Sequence, residues 1–230
     1  MAKTAEGERW DHLIIVDQVP QGARVLDLGC GRGRLLKLLV DRKGVRGTGI
    51  EIVEDKVYDA VAKGLTVYHG DFNEGLSYYP DDSFDYVILS QTLQEARETV
   101  KILMEALRVG QRVVVSVPNF GHWKARWQLL TTGRAPVTSS LPYQWYDTPN
   151  VHSLTIKDFR IFLQEQRIRI VKEFYVGEKG RVEFWPNLRA ANGVFVVENE
   201  GRKRQPSSEP LDTSRGAQAS EAGASREQTK

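Results

Sequence analysis

The residues of this chain best placed to hold a ligand are an acid, three alternating glycines and a second acid further on. They are Asp27, Gly29, Gly31 and Gly33 in Val25-Leu26-Asp27-Leu28-Gly29-Cys30-Gly31-Arg32-Gly33, and Glu51 at the end of Gly47-Thr48-Gly49-Ile50-Glu51. Glycine admits positive φ and lets a ligand lie directly against the main chain. Glu51 follows at about the 20-residue interval at which a carboxylate accepts hydrogen bonds from both hydroxyls of a ribose. A glycine triplet alone serves equally as a tight turn. With both acids in register, the pattern implies a nucleotide-like cofactor.

Such a loop has to be carried by a strand and followed by a helix. Arg24 to Leu28 is the short apolar run of a buried parallel strand. Leu35, Leu36, Leu38 and Leu39 continue beyond the loop at helical spacing. A second strand over Arg46–Ile50 ends at Glu51, and a third, Thr66-Val67-Tyr68-His69, leads to Gly70-Asp71-Phe72. Phe84–Ser90 reads as the fourth strand. It sets Ser90 and Gln91 at its carboxyl end, where open α/β sheets bind ligands.

The identity of the cofactor turns on one position. A dinucleotide loop requires G-x-G-x-x-G/A, and counting from Gly29 the last position is Arg34, too large for close helix packing. NAD and FAD are therefore disfavoured. Asp27 beside the loop suits a cationic ligand better than a pyrophosphate. The pattern D-x-G-x-G-x-G resembles motif I of class I S-adenosylmethionine (SAM) dependent methyltransferases. That resemblance implies an α/β Rossmann-like, doubly wound sheet, mostly parallel with an antiparallel last strand. It also implies that Asp27 and the loop face the methionyl part of SAM, that Glu51 holds the ribose, and that Asp71 and Phe72 meet the adenine amino group and ring. Ile52, next to Glu51, belongs to the same cofactor set. Asp71 serves equally as a turn cap with Asn73 and Gly75, and Gln91 and Thr92 as helix caps.

Composition points to one enzyme-sized domain plus a tail. The 230 residues are 40% hydrophobic with a net charge of +2, which gives no strong field for nucleic acid. No run is apolar enough to span a membrane and the start lacks a secretory core, so a cytoplasmic protein is expected. Cys30 is the only cysteine. It excludes an internal disulfide and a cysteine metal cluster, and reads as a small filler beside the cofactor. His12, His69, His122 and His152 show no metal-ligand spacing.

Around this centre, Glu8–Val19 reads as an amphipathic helix, Glu95–Leu107 as another stopped at Gly110, and Arg112–Val117 as a fifth strand. Residues 119–152 form an insertion rich in Trp and Tyr, readable as a lid, a partner surface or core padding. A helix over Thr155–Gln164 precedes two strands, Ile168–Tyr175 and Gly193–Glu198, which suit an antiparallel hairpin. The aromatic-free composition of 201–230 predicts disorder, leaving 8–200 as the domain.

A narrower likeness lies in the glycine loop, in Leu89-Ser90-Gln91-Thr92-Leu93-Gln94, in Pro118-Asn119-Phe120-Gly121-His122-Trp123 and in Pro186-Asn187-Leu188-Arg189-Ala190. Together these resemble the methionine biosynthesis protein MetW family. The resemblance implies a role beside homoserine O-acyltransferase, whose activity such proteins support, and a family without an assigned methyl acceptor. Two functions follow. One is a SAM-binding interaction protein; the other is a methyltransferase with His122 as candidate base. The absence of an Asn/Asp-Pro-Pro-Tyr motif after the fourth strand disfavours amino-group methylation of DNA or protein glutamine. Arg32 is a candidate for the SAM carboxylate, with a solvent-facing side chain as the alternative.

Overall fold

A computed structural model describes residues 7–74 and 76–200. The expectations for the first residues and for 201–230 lie outside the described residues. The chain enters through α1 (Trp10–Gln18), whose buried Asp11, Ile14 and Ile15 share one helix face. Then follow β1 (Arg24–Leu28), α2 (Arg34–Lys43), β2 (Arg46–Glu51), α3 (Glu54–Val61), β3 (Thr66–His69), β4 (Phe84–Ser90), α4 (Thr99–Val109) and β5 (Gly110–Pro118). The second half contains α5 (Trp123–Thr132), α6 (Ile156–Glu165), β6 (Ile168–Gly177), the two-residue β7 (Gly180–Arg181), α7 (Pro186–Arg189) and β8 (Asn192–Asn199).

These strands make one sheet in the order β3-β2-β1-β4-β5-β8-β6-β7. The pairs among β1 to β5 are all parallel, and β8 lies antiparallel between β5 and β6. The expected doubly wound sheet with an antiparallel last strand is therefore present. Alternate residues feed opposite cores, as the pleat requires. Leu26, Leu28, Val87, Leu89, Val113 and Val115 pack with α4 and α6, whereas Val25, Ile88 and Val114 pack with Ile14, Ile15, Leu35 and Leu39. Asp27 and Ser116 continue the faces of Val25 and Val114, which turns both polar residues to the side covered by α1.

One local expectation is corrected. The helix foreseen over Glu95–Leu107 is a short 3-10 turn, Leu93–Glu95, followed by an extended residue at Ala96, with α4 starting only at Thr99. Here the returning end of the aromatic segment competes for the backbone. Val151 and His152 donate their N–H groups to the Gln94 carbonyl, and the His152 ring bonds the Ala96 carbonyl. The helix does stop at Gly110, as expected: Gly110 is its C-cap, in extended backbone, and opens β5 without a loop. Glycine is needed there because a Cβ would lie 2.6 Å from Val87 Cγ2.

Candidate functional site

Three left-handed residues, Gly29, Gly31 and Gly33, bend the chain between β1 and α2. They are glycine for different reasons. A Cβ on Gly29 would sit 2.7 Å from Thr92 Cγ2, and one on Gly33 would strike Leu65 and Ala60, so both pack tightly on their neighbours. Gly31 has no atom within 4 Å of its absent Cβ, so it faces open space. The loop is tied to β2: Gly29 N and Cys30 N donate to the Ile50 carbonyl at 2.8 and 3.1 Å. Glu51 Oε2 accepts from Gly31 N at 2.8 Å and Oε1 from Val53 N at 2.9 Å. One buried carboxylate therefore fixes both the loop and the turn after β2. A carboxylate has about four acceptor positions, which leaves capacity for a diol.

Asp27 is 2% exposed, and no described residue donates a hydrogen bond to its carboxylate. Burial, reinforced by the charge of Glu51 and opposed by Arg9, pushes its pKa up to about 7. Cys30 fills the space left by Gly49, where a Cβ would stand 2.5 Å from Sγ. Burial and the two acids push its thiol far up, which leaves it protonated and unreactive.

A hydrogen-bonded chain that sequence reading missed closes the other side. Arg9 binds both oxygens of the buried Asp11, and Asp11 Oδ2 accepts from Ser116 Oγ at 3.1 Å. Ser116 Oγ accepts from Gln91 Nε2 at 2.8 Å, and the Gln91 carbonyl accepts from Gln94 Nε2 at 2.7 Å. Burial opposes ionisation of Asp11, but the bond and charge of Arg9 hold its carboxyl below the usual range. Gln91 sits at φ 59°, a strained conformation for a non-glycine residue, locked by its N–H on the Ser116 carbonyl and its side chain on the Ser116 hydroxyl. Neither Gln91 nor Thr92 makes a helix cap. Thr92 Oγ1 instead donates to the Leu28 carbonyl at 2.9 Å, tying β4 to the glycine loop. The buried Ser90 Oγ and Gln94 Oε1 have no hydrogen-bond partner among the described residues. The available signal was Asp11 itself, an acid in step with the apolar face of an amphipathic helix.

The remaining expected residues are placed as follows. Asp71 Oδ1 accepts from the main chain and side chain of Asn73 at 2.8 and 2.7 Å, the turn cap that competed with an adenine role. Phe72 is buried in the core beside Leu76, and Ile52 is exposed just past Glu51. Arg32 pairs with Asp59 of α3, directing its charge away from the loop centre. His122 is the N-cap of α5: Nδ1 accepts from Lys124 N at 3.3 Å. Burial lowers its pKa, which keeps the imidazole neutral. Among the described residues no three His, Cys, Asp or Glu side chains are arranged to hold a metal, and no helix is long and apolar enough to cross a membrane.

An open glycine thus stands beside two buried acids at the carboxyl ends of parallel strands. The sheet is that of class I SAM-dependent methyltransferases. A SAM-dependent methyltransferase of Thermotoga maritima, described as a possible histamine N-methyltransferase, superposes with a TM-score of 0.60 at 16% identity, over 83% of this chain and 88% of that one. One from Archaeoglobus fulgidus gives 0.59 at 18% identity, over 81% and 90%. At such identities the likeness shows the fold alone.

Residues 9–197 match the family described as methionine biosynthesis protein MetW, and the chain belongs to that family. The bifunctional methionine biosynthesis protein MetXA/MetW of Rhodopirellula baltica is 35% identical over 205 residues, covering 84% of this chain and 33% of that protein. This chain thus spans about a third of that relative's length. A demethylmenaquinone methyltransferase of Listeria welshimeri is 28% identical over 149 residues, covering 56% of this chain and 62% of that one.

Proposed function

We propose that this methionine biosynthesis protein binds SAM in the cradle of Asp27, Gly29, Cys30, Gly31, Gly33 and Glu51, and that it associates with and supports a homoserine O-acyltransferase. The observation that carries the SAM reading is Asp27, a buried carboxylate without a hydrogen-bond donor beside an open glycine. A cationic ligand supplies the charge that site lacks. Glu51 holds the ribose diol. In this reading Ile52 and Phe72 border the adenine, and Asp71 keeps Oδ1 for the Asn73 turn while its other oxygen accepts from the amino group. Ser90 and Gln91 line the methyl side, and Arg9, aimed by Asp11, meets the carboxylate of the methionyl end. SAM supplies an electrophilic methyl group when bound. The partner reading is supported by the R. baltica relative, whose name joins MetXA and MetW in one chain.

A second reading, methyl transfer to an acceptor, is favoured by the orphaned Ser90 Oγ and Gln94 Oε1 beside the same strand end. His122 would have to leave its helix cap to act as the base. Calorimetric titration with SAM and S-adenosylhomocysteine, with and without the acyltransferase, separates these readings. The interaction reading expects a SAM affinity that changes when the acyltransferase is present, matched by an equal effect of SAM on partner affinity. Turnover of labelled SAM with an acceptor, and no acyltransferase binding, would overturn it.

A further inference from the structure

Helix α5 buries only Ala125. Trp123, Trp127 and Leu130, at i, i+4 and i+7, form an apolar stripe on its outside and are 49%, 62% and 80% exposed. Surface helices ordinarily turn such a stripe to the core. Besides the buried Ala125, polar ties hold this helix in place. They include the His122 cap, the Lys124 ion pair with Glu178, the Arg126 Nε bond to the Gly121 carbonyl at 2.6 Å, and the Val137 N bond to Gln128 Oε1 at 3.0 Å.

Arg126 lies on the same face, at i+3, and also lines a groove of about 840 Å³. That groove runs along α6 to the start of β6. Its floor is apolar, with Ile156, Ile168 and Leu188 among its residues, and its rim is cationic, with Arg126, Lys157 and Arg167. Trp185 stands in the groove, 75% exposed and in the left-handed region at φ 51°, a conformation that is costly for a bulky residue. None of the residues of the proposed SAM cradle lines the groove. Exposed Trp and Arg around an apolar centre are the composition of binding hot spots.

We propose that the α5 stripe and the α6 groove form one continuous docking surface for the homoserine O-acyltransferase, and that the matching patch on that partner is apolar at its centre and acidic at its edge. The assignment of the occupant rests on the partner reading above. Charge argues against a second copy of this chain, because two such cationic rims would face each other across a self-complementary interface.

The test uses the full chain and the acyltransferase, with affinity followed by calorimetry and the oligomeric state of each protein by sedimentation. The variants are the pair Trp127→Ala with Leu130→Ala, and the charge reversal Lys157→Glu with Arg167→Glu. All four positions are surface side chains, so thermal melting is expected within a few degrees of the parent. The account expects partner affinity to fall at least 30-fold in the first pair and at least 10-fold in the second, with SAM affinity unchanged in both. Parent protein that does not bind the acyltransferase overturns the partner reading itself. Parent binding with undiminished variant binding overturns this surface while leaving the partner reading intact. A parent dimer that the variants dissociate would make the face a self-interface and overturn the proposal.

Discussion

The two ends of the β4–β5 region solve opposite problems. On the β1–β4 side, polar groups are drawn inward: Asp27, Glu51, Asp11, Gln91 and Ser116 are all buried, and glycines remove Cβ atoms so that strands and loop can close on one another. Beyond β5, apolar groups are pushed outward: Trp123, Trp127 and Leu130 stand in solvent on α5, and Trp185 does so just before α7. Burying unpaired charge is costly unless a ligand repays it, and exposing large apolar side chains is costly unless a partner covers them. The contrast is what supports proposing a small ligand for the first region and a macromolecule for the second.

The sharpest way to break the first half is Glu51→Ala. It orphans the Gly31 and Val53 N–H groups and removes the diol acceptor, each a charge-assisted bond of about 1.5–3 kcal/mol. SAM affinity is expected to fall about 100-fold or more, read by calorimetry.

Next in size is Gly29→Ala. Its φ of 68° and the 2.7 Å approach to Thr92 Cγ2 force the loop off β4, and a stability loss of about 1–3 kcal/mol is expected in urea unfolding. The docking surface should suffer little from it.

A smaller, graded effect is pH dependence. Asp27 is protonated below about pH 7 in the free protein, and a cationic ligand favours its ionised form. SAM affinity should therefore rise with pH, by up to about tenfold per unit below 7, and level off above. Asp27→Asn should flatten the profile. Folding carries the opposite sign. Because the folded pKa is raised above the ordinary 3.8, the stabilisation from protonated Asp27 is fully present below that value and is lost as pH rises through 7.

The smallest effect is expected of Arg32→Ala. With its guanidinium on Asp59, SAM affinity should change less than twofold. A tenfold loss would return Arg32 to the carboxylate of the ligand.

Strands and loop were legible in the sequence because local rules govern them. Apolar runs mark buried parallel strands, and alternating glycines mark a turn that only they can make. Glu51 was legible as an acid at a fixed interval, but its grip on Gly31 N was not, because that bond forms only when β1 and β2 pair. The start of α4 was misread because the bonds from Val151 and His152 to Gln94 come from residues far along the chain. The Arg9–Asp11–Ser116–Gln91 chain was hidden for the same reason. Its members are more than a hundred residues apart at their widest and meet only across α1 and β5. His122 was legible as a polar group just past the fifth strand, but its use as the cap of α5 was not, because that bond forms only once the helix turns at Lys124.

The central claim is that ligand and partner occupy separate surfaces. The most direct measurement is the affinity of Glu51→Ala for the acyltransferase, without SAM, beside that of the Trp127→Ala/Leu130→Ala pair. The account predicts that Glu51→Ala binds the partner as the parent does while the pair does not. Loss of partner binding in a folded Glu51→Ala protein, with binding retained by the pair, would contradict it.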